Sequence, residues 1–366
     1  MRVAFVEEVT AHTRATPSTR RTRRIARSLA ERGHEVTVFC ARWWDGDHDT
    51  FEHHDVTYRA LVSEPSGDPS TRFALRLPLA LRRNAPDVVH ATYPPARHVL
   101  AAKVGGTLAR APLVVDWYGE RDSAFDGYGR SLTGLKAYGR HLATRVPDRI
   151  VTPTRTVKTR VRELGADGAD VRVVPNGINL SAIERTEAAN VTDIVYSRSL
   201  DEDANLESLL LALAELRDRG WKAAIVGDGP ERERYERQAR DLRIDDRVTF
   251  VGNQPLAKRV AAFKGAHVYV QTARRESFPT DLLRAMASGC VGVVEYHVDS
   301  SAHELVEHQE RGFRTTSEDE LTDAIAKAAE LPRMEHDEAF ERYEESAIVD
   351  EYLDCYREAG ESFGLL

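Results

Sequence analysis

The stretch Arg274 to Ala287, RRESFPTDLLRAMA, sets a glutamate directly ahead of a helical pattern, and that arrangement suits an anion. Leu282 with Met286 and Leu283 with Ala287 recur at helical spacing, Ser288 and Gly289 stop the helix, and an apolar strand Val291 to Val294 follows. The first-turn N–H groups of such a helix lack intrahelical partners, and the helix dipole puts partial positive charge there. Ser277, Phe278, Pro279, Thr280 and Asp281 therefore read as a mouth that would stabilise a diphosphate without any basic side chain. Glu276, a carboxylate beside that mouth, would instead accept hydrogen bonds from hydroxyls of whatever the phosphate carries. In Val226-Gly227-Asp228-Gly229-Pro230, two glycines let backbone approach a ligand closely; a bare strand-to-helix turn would use the same residues.

Two series of short apolar runs would position these groups. The first is Val3–Val6, Val36–Phe39, Val56–Leu61, Val88–His90, Leu113–Asp116 and Ile150–Thr152. The second is Ile194–Tyr196, Ala223–Val226, Val248–Val251, Val268–Val270 and Val291–Val294. Helical patterns separate the runs, Pro17–Arg32 and Leu206–Arg219 among them, so each series predicts a parallel sheet covered by helices. Between the series, Pro175-Asn176-Gly177 ends a strand and turns the chain. The fold class is α/β, with two facing Rossmann-like domains that bind ligands at the carboxyl ends of their strands.

With 366 residues the chain suits two domains. Its 42% hydrophobic and 30% charged residues are those of a soluble globular protein, and a formal charge of −8 gives no reason to expect nucleic acid as a partner. Cys40, Cys290 and Cys355 are too scattered for a disulfide framework or a zinc site. Met1 opens directly onto a strand, and no run approaches the ~20 apolar residues of a spanning helix. The expected location is cytoplasmic.

Glu276, Phe278, Ala285, Met286, Ala287 and Gly289 resemble the E-x-F-G-x-x-x-x-E-A-M-A-x-G signature of retaining GT-B glycosyltransferases, family 4 (glycosyl transferases group 1). Gly33-His34-Glu35-Val36-Thr37-Val38, Val173-Val174-Pro175-Asn176-Gly177, Val226 to Pro230 and Val248 to Gly252 resemble further elements of that family in the same order. The resemblance implies domains over 1–172 (acceptor side) and 173–340 (nucleotide-sugar side), with a closing helix in 341–366 that crosses back to the first. It implies that Arg198 grips the donor diphosphate, that Glu276 orients the sugar and that Gly252 lies near the base. It also points to Asp116 and Tyr118 as catalytic candidates, Tyr118 standing where many members have histidine. Two further departures stand out: Arg284 replaces the second glutamate, and Ala204 stands in the place of a phosphate-binding lysine. We expect the two to be linked, the cation missing at Ala204 being supplied by Arg284, which leans toward the helix mouth.

The implied activity is metal-independent transfer of a hexose, with retention, from a nucleotide-diphosphate sugar to a hydroxyl acceptor such as a lipid-linked glycan. The nucleotide sugar is a substrate, and no cofactor or metal is expected. The alternative is a GT-B protein that no longer turns over and serves as a nucleotide-binding or partner subunit, which Ala204, Arg284 and Tyr118 favour. Arg20, Arg21, Arg23 and Arg24 crowd one helix, while Arg72, Arg76, Arg82 and Arg83 alternate with Phe73, Leu75, Leu77 and Leu79. These are candidate contacts for an anionic membrane, at ~1 kcal/mol per basic residue near such a surface, and equally two ordinary surface helices.

Overall fold

The apolar runs form two sheets, one in each of two units, in a computed structural model that describes residues 1–63, 69–119, 134–189 and 192–364. The first unit is Met1–Pro175 with Glu345–Leu366, and the second is Asn176–Glu344. The divisions fall a few residues beyond the expected 172 and 340. Val171–Val173 still pairs in the first sheet, and the Tyr343 carbonyl still accepts from the Ile178 N–H.

The first sheet contains β1 (Arg2–Val6), β2 (Glu35–Ala41), β3 (Thr50–His53), β4 (Val56–Val62), β5 (Val88–Tyr93), β6 (Leu113–Trp117), β7 (Arg149–Thr152) and β8 (Val171–Val173), in the order β3-β4-β2-β1-β5-β6-β7-β8. All neighbours are parallel except β3, which pairs antiparallel with β4. That hairpin departs from the all-parallel expectation. Its turn, His54-Asp55, holds two left-handed residues (φ 50 and 58) where no glycine advertises it. The closing helix Glu345–Ser362 belongs to this unit: Ile348, Val349, Tyr352, Cys355 and Tyr356 are buried in one core with Val3, Phe5 and Val36.

The second sheet contains β9 (Ile194–Ser197), β10 (Ala223–Val226), β11 (Val248–Gly252), β12 (Val268–Gln271), β14 (Val291–Glu295) and β16 (Gly312–Thr315), all parallel, in the order β11-β10-β9-β12-β14-β16. Two short strands, β13 (Arg275–Glu276) and β15 (Asp299–Ser300), pair beside it. Its core gathers Leu206, Leu209, Leu213 and Ile325 against Ile194, Ile225, Val268 and Val291, each such side chain contributing about 1.5–3 kcal/mol on burial. Sequential strands run outward both ways from β9 and β12. The strand order therefore reverses between those two, and in open α/β sheets the carboxyl ends at such a reversal are where ligands bind.

Candidate active site

Arg198 follows β9, and Glu276 lies just beyond β12, so the topology brings both to that reversal point. Arg198 Nη1 donates to Glu276 Oε2 at 2.8 Å and to the Arg275 carbonyl at 2.8 Å. The side chains are 15% and 22% exposed, so the pair is shielded without being closed off. Arg198 Nε is buried with no hydrogen-bond partner among the described residues, a donor that an incoming anion would satisfy. Burial pushes the Glu276 carboxyl up, against Arg198 and the Phe278 N–H, which favour its charged form. Arg198 loses some basicity to burial, but Glu276, Tyr196 and Asp201 more than restore it and leave its pKa raised. The guanidinium is charged at any physiological pH, so the two meet as an ion pair.

The loop carrying Glu276 is pinned from behind. Ser301 donates its backbone N–H to the Glu276 carbonyl at 2.8 Å and its hydroxyl to the Ser277 carbonyl at 2.7 Å. The helix Thr280–Ala287 then begins with Pro279 as its cap and no side-chain capping bond, its Thr280 N–H donating to the Phe278 carbonyl at 2.9 Å. Phe278 is buried and anchors the turn, while the Thr280 hydroxyl accepts from Asn176 Nδ2 at 3.0 Å.

Other expected donor residues have structural duties. Asp281 accepts from Ser197 Oγ at 2.8 Å and Arg259 Nη1 at 2.5 Å on Oδ2 and from Arg284 Nη1 at 2.9 Å on Oδ1, so both its oxygens are engaged. Arg284 is thus held by Asp281. Ala204 is fully buried in the second core, where a lysine would place its ammonium among leucines. The expected exchange of one cation for the other is therefore corrected: position 204 has no opening to the site, and Arg284 answers Asp281. Arg259 was not foreseen, because a lone arginine on the helix Leu256–Gly265 carries no motif.

The glycines have a specific reason. A Cβ at Gly227 (φ +131) would lie 1.8 Å from the Arg198 carbonyl oxygen, and one at Gly229 would lie 2.3 Å from that of Leu200. Both therefore admit the Arg198 loop against the end of β10, where Arg198 N–H donates to the Val226 carbonyl and Leu200 N–H to that of Asp228. Gly252 holds a left-handed φ of +76 and accepts from the Gly227 N–H. These glycines support Arg198.

In the first unit the candidates gather differently. Asp116 and Tyr118 are each only 2% exposed. Asp116 Oδ2 accepts from Arg21 Nε at 2.8 Å and from the Tyr352 hydroxyl at 2.6 Å, and Arg21 spends its other nitrogens on the carbonyls of Val174 and Pro175. The Arg21 guanidinium also sits 6.0 Å from the Tyr118 ring centre. The clasp leaves Asp116 and Tyr118, expected as catalytic candidates, almost no exposed surface, and it buries Arg21, expected as a membrane contact, away from the solvent-exposed face of its helix. Arg20 and Arg23 are exposed, while Arg24 is partly shielded and lies 4.0 Å from Glu345.

An ion-paired arginine and glutamate beside a helix start stand at the strand reversal of a parallel sheet in an α/β protein. Its fold is GT-B, as in the lipopolysaccharide outer core galactosyltransferase (TM-score 0.72, 16% identity, covering 97% of this chain and 99% of that one). Sucrose-phosphate synthase from Thermosynechococcus elongatus has the same fold (TM-score 0.69, 17% identity, 100% and 98%), as does an Anabaena protein solved in complex with UDP (TM-score 0.68, 16% identity, 99% and 96%). Two family models match in succession, Glycosyltransferase Family 4 over residues 18–182 and Glycosyl transferases group 1 over residues 183–347. The chain belongs to the family 4, group 1 glycosyltransferases. An uncharacterized glycosyltransferase of Haemophilus influenzae is 27% identical over 52% of this chain, and an exopolysaccharide phosphotransferase of Streptomyces coelicolor is 30% identical over 56%. The matches span only 54% and 21% of those relatives' own lengths. The N-acetyl-alpha-D-glucosaminyl L-malate synthase of Bacillus anthracis is 22% identical over 91% of each chain.

Proposed function

We propose that the chain transfers a hexose from a nucleotide-diphosphate sugar to a hydroxyl acceptor, with retention and without a metal. The observation that carries this reading is the Arg198–Glu276 pair beside the start of the Thr280–Ala287 helix. Donor binding would insert the diphosphate between the two. Arg198, with its Nε satisfied, and the first-turn N–H groups would then stabilise charge growing on the departing diphosphate, which is electrostatic catalysis aimed at the leaving group. Glu276, released from Arg198, would accept from the sugar hydroxyls and fix the donor's orientation. The bond from the anomeric carbon to the diphosphate oxygen breaks, a bond to the acceptor oxygen forms, and the acceptor's proton passes to the diphosphate. An Anabaena relative in fold was solved with UDP and glucose, which makes UDP-glucose the first donor to try.

One observation favours the second reading, a nucleotide-binding subunit that does not turn over. Asp281 and Arg284 satisfy each other, so neither a ribose-binding carboxylate nor a free cation stands at position 284. Transfer and donor hydrolysis, assayed across UDP and GDP sugars, separate the two. Diphosphate binding with turnover supports transfer, and binding with none supports the subunit.

Acceptors anchored in an anionic membrane suit the first unit. Leu75 and Leu79 are 76% and 49% exposed on the helix Pro69–Asn84, flanked by exposed Arg72, Arg76, Arg82 and Arg83. Among the described residues no helix is long and apolar enough to cross a membrane. Co-sedimentation with anionic vesicles should fall with salt and with Leu75→Glu and Leu79→Glu together. Binding that ignores both would make this an ordinary surface helix.

A further inference from the structure

We infer that the second unit carries a second small-ligand site, at the amino ends of its strands, which takes a small apolar body bearing a carboxylate or phosphate. A cavity of about 310 Å³ opens where β9 and β12 begin, lined by Ile194 and Val268 from the strands and by Trp221, Ile325 and Leu331 around them. That volume lies at the lower end for small-molecule sites. Arg198 follows the carboxyl end of β9, so the cavity sits at the opposite edge of the sheet from the donor residues.

Three polar features make it more than a gap between a helix and a sheet. His267 is 6% exposed, lines the cavity, and has its Nε2 buried without a hydrogen-bond partner among the described residues. Burial, with Arg333 and Arg311, keeps its ring neutral against the carbonyls of Leu331 and Ala328. A ring N–H turned to those carbonyls leaves Nε2 an unused acceptor buried just behind the cavity wall, which a ligand hydroxyl or N–H would reach by displacing a lining side chain. Of the charged residues lining the cavity, Arg219 and Arg333 are cations and Asp193 is the one carboxylate, 3.8 Å from Arg333. Two cations to one anion leaves one positive charge for an incoming anion. The Trp221 indole donates to the Leu216 carbonyl at 2.9 Å, which holds the ring in place as an apolar wall.

The probes are phenyl phosphate and benzyl alcohol, titrated into the full chain by ligand-observed NMR. Phenyl phosphate should bind, and the alcohol should bind about tenfold more weakly, the measure of one charge-assisted contact. Arg219→Ala, at an exposed position, should bring the phosphate down to the level of the alcohol while leaving glycosyl transfer unchanged. Ala329→Phe, on the exposed side of the lining helix, should fill the cavity and abolish both. Phenyl phosphate that fails to bind, that still binds Ala329→Phe, or that is lost in Arg198→Ala would overturn the assignment, the last by placing the probe at the diphosphate site.

Discussion

Each unit sets an arginine against a carboxylate near the carboxyl end of a strand, and the two pairs differ in how much water reaches them. Arg21 and Asp116 are both 3% exposed; Arg21 donates to Asp116 Oδ2 and to the carbonyls of Val174 and Pro175, Tyr352 donates to the same Oδ2, and Asp116 Oδ1 is buried without a hydrogen-bond partner among the described residues. Arg198 and Glu276 are 15% and 22% exposed, and Arg198 keeps Nε in reserve. The chemistry is the same in both places. Third partners turn the first pair into a clasp and leave the second partly open to solvent.

The largest expected effect follows from burial. Removing one partner of a closed ion pair leaves an uncompensated charge, at about 3–5 kcal/mol, and a pair that water still reaches loses less because solvent screens the charge left behind. Arg21→Met should therefore lose more stability in urea unfolding than Arg198→Met. Equal losses would erase the distinction.

Acid provides a second way to break the comparison. His90 is fully buried beside the clasp, its Nδ1 2.7 Å from the Tyr356 hydroxyl and its Nε2 3.9 Å from Asp116. Burial, together with Arg21, lowers its pKa from 6.5 to about 4 despite Asp116. The folded state stays neutral where the unfolded chain takes up a proton, so stability is full above pH 6.5 and falls as the pH drops toward about 4. The fall attributable to His90 is about 3 kcal/mol at one pKa unit per 1.36 kcal/mol. His90→Gln should flatten that part of the unfolding-versus-pH curve, and an unchanged slope would show that the clasp does not control acid stability.

The open pair makes the third prediction. Arg198→Ala should cost about 1.5–3 kcal/mol of nucleoside diphosphate affinity by calorimetry, as for a charge-assisted hydrogen bond. Unchanged affinity would remove Arg198 from the site.

How far the sequence foretold this contrast depends on distance along the chain. The strands were legible because β-branched runs bounded by turns leave little choice, and Glu276 and Arg198 were legible because each ends or follows such a run. The β3 hairpin was not, since its turn uses His54 and Asp55 rather than glycine or asparagine. The fate of Asp116 was not legible either. Whether a carboxylate at a strand end meets substrate or a partner depended on Tyr352, which lies 236 residues away and reaches it through the closing helix. Arg284 was misread for a nearer reason: helical spacing places it equally well over the mouth or over Asp281, and spacing cannot say that Ser197 and Arg259 already fix Asp281 in place.

That ambiguity yields the smallest prediction and the sharpest test of the second unit. Arg284→Ala removes the hydrogen bond to Asp281 Oδ1 while Ser197 and Arg259 still hold Oδ2, so about 1.5 kcal/mol of stability should go. Diphosphate affinity should fall by less than in Arg198→Ala, because Arg284 spends its charge on Asp281. Adding Ala204→Lys should recover nothing and instead destabilise, since that position is fully enclosed by the core. If Arg284→Ala lost the diphosphate as steeply as Arg198→Ala, Arg284 would have to leave Asp281 for the phosphate on binding. The second unit would then hold two ligand-opened pairs, and its difference from the clasp of the first would be wider than their exposures alone suggest.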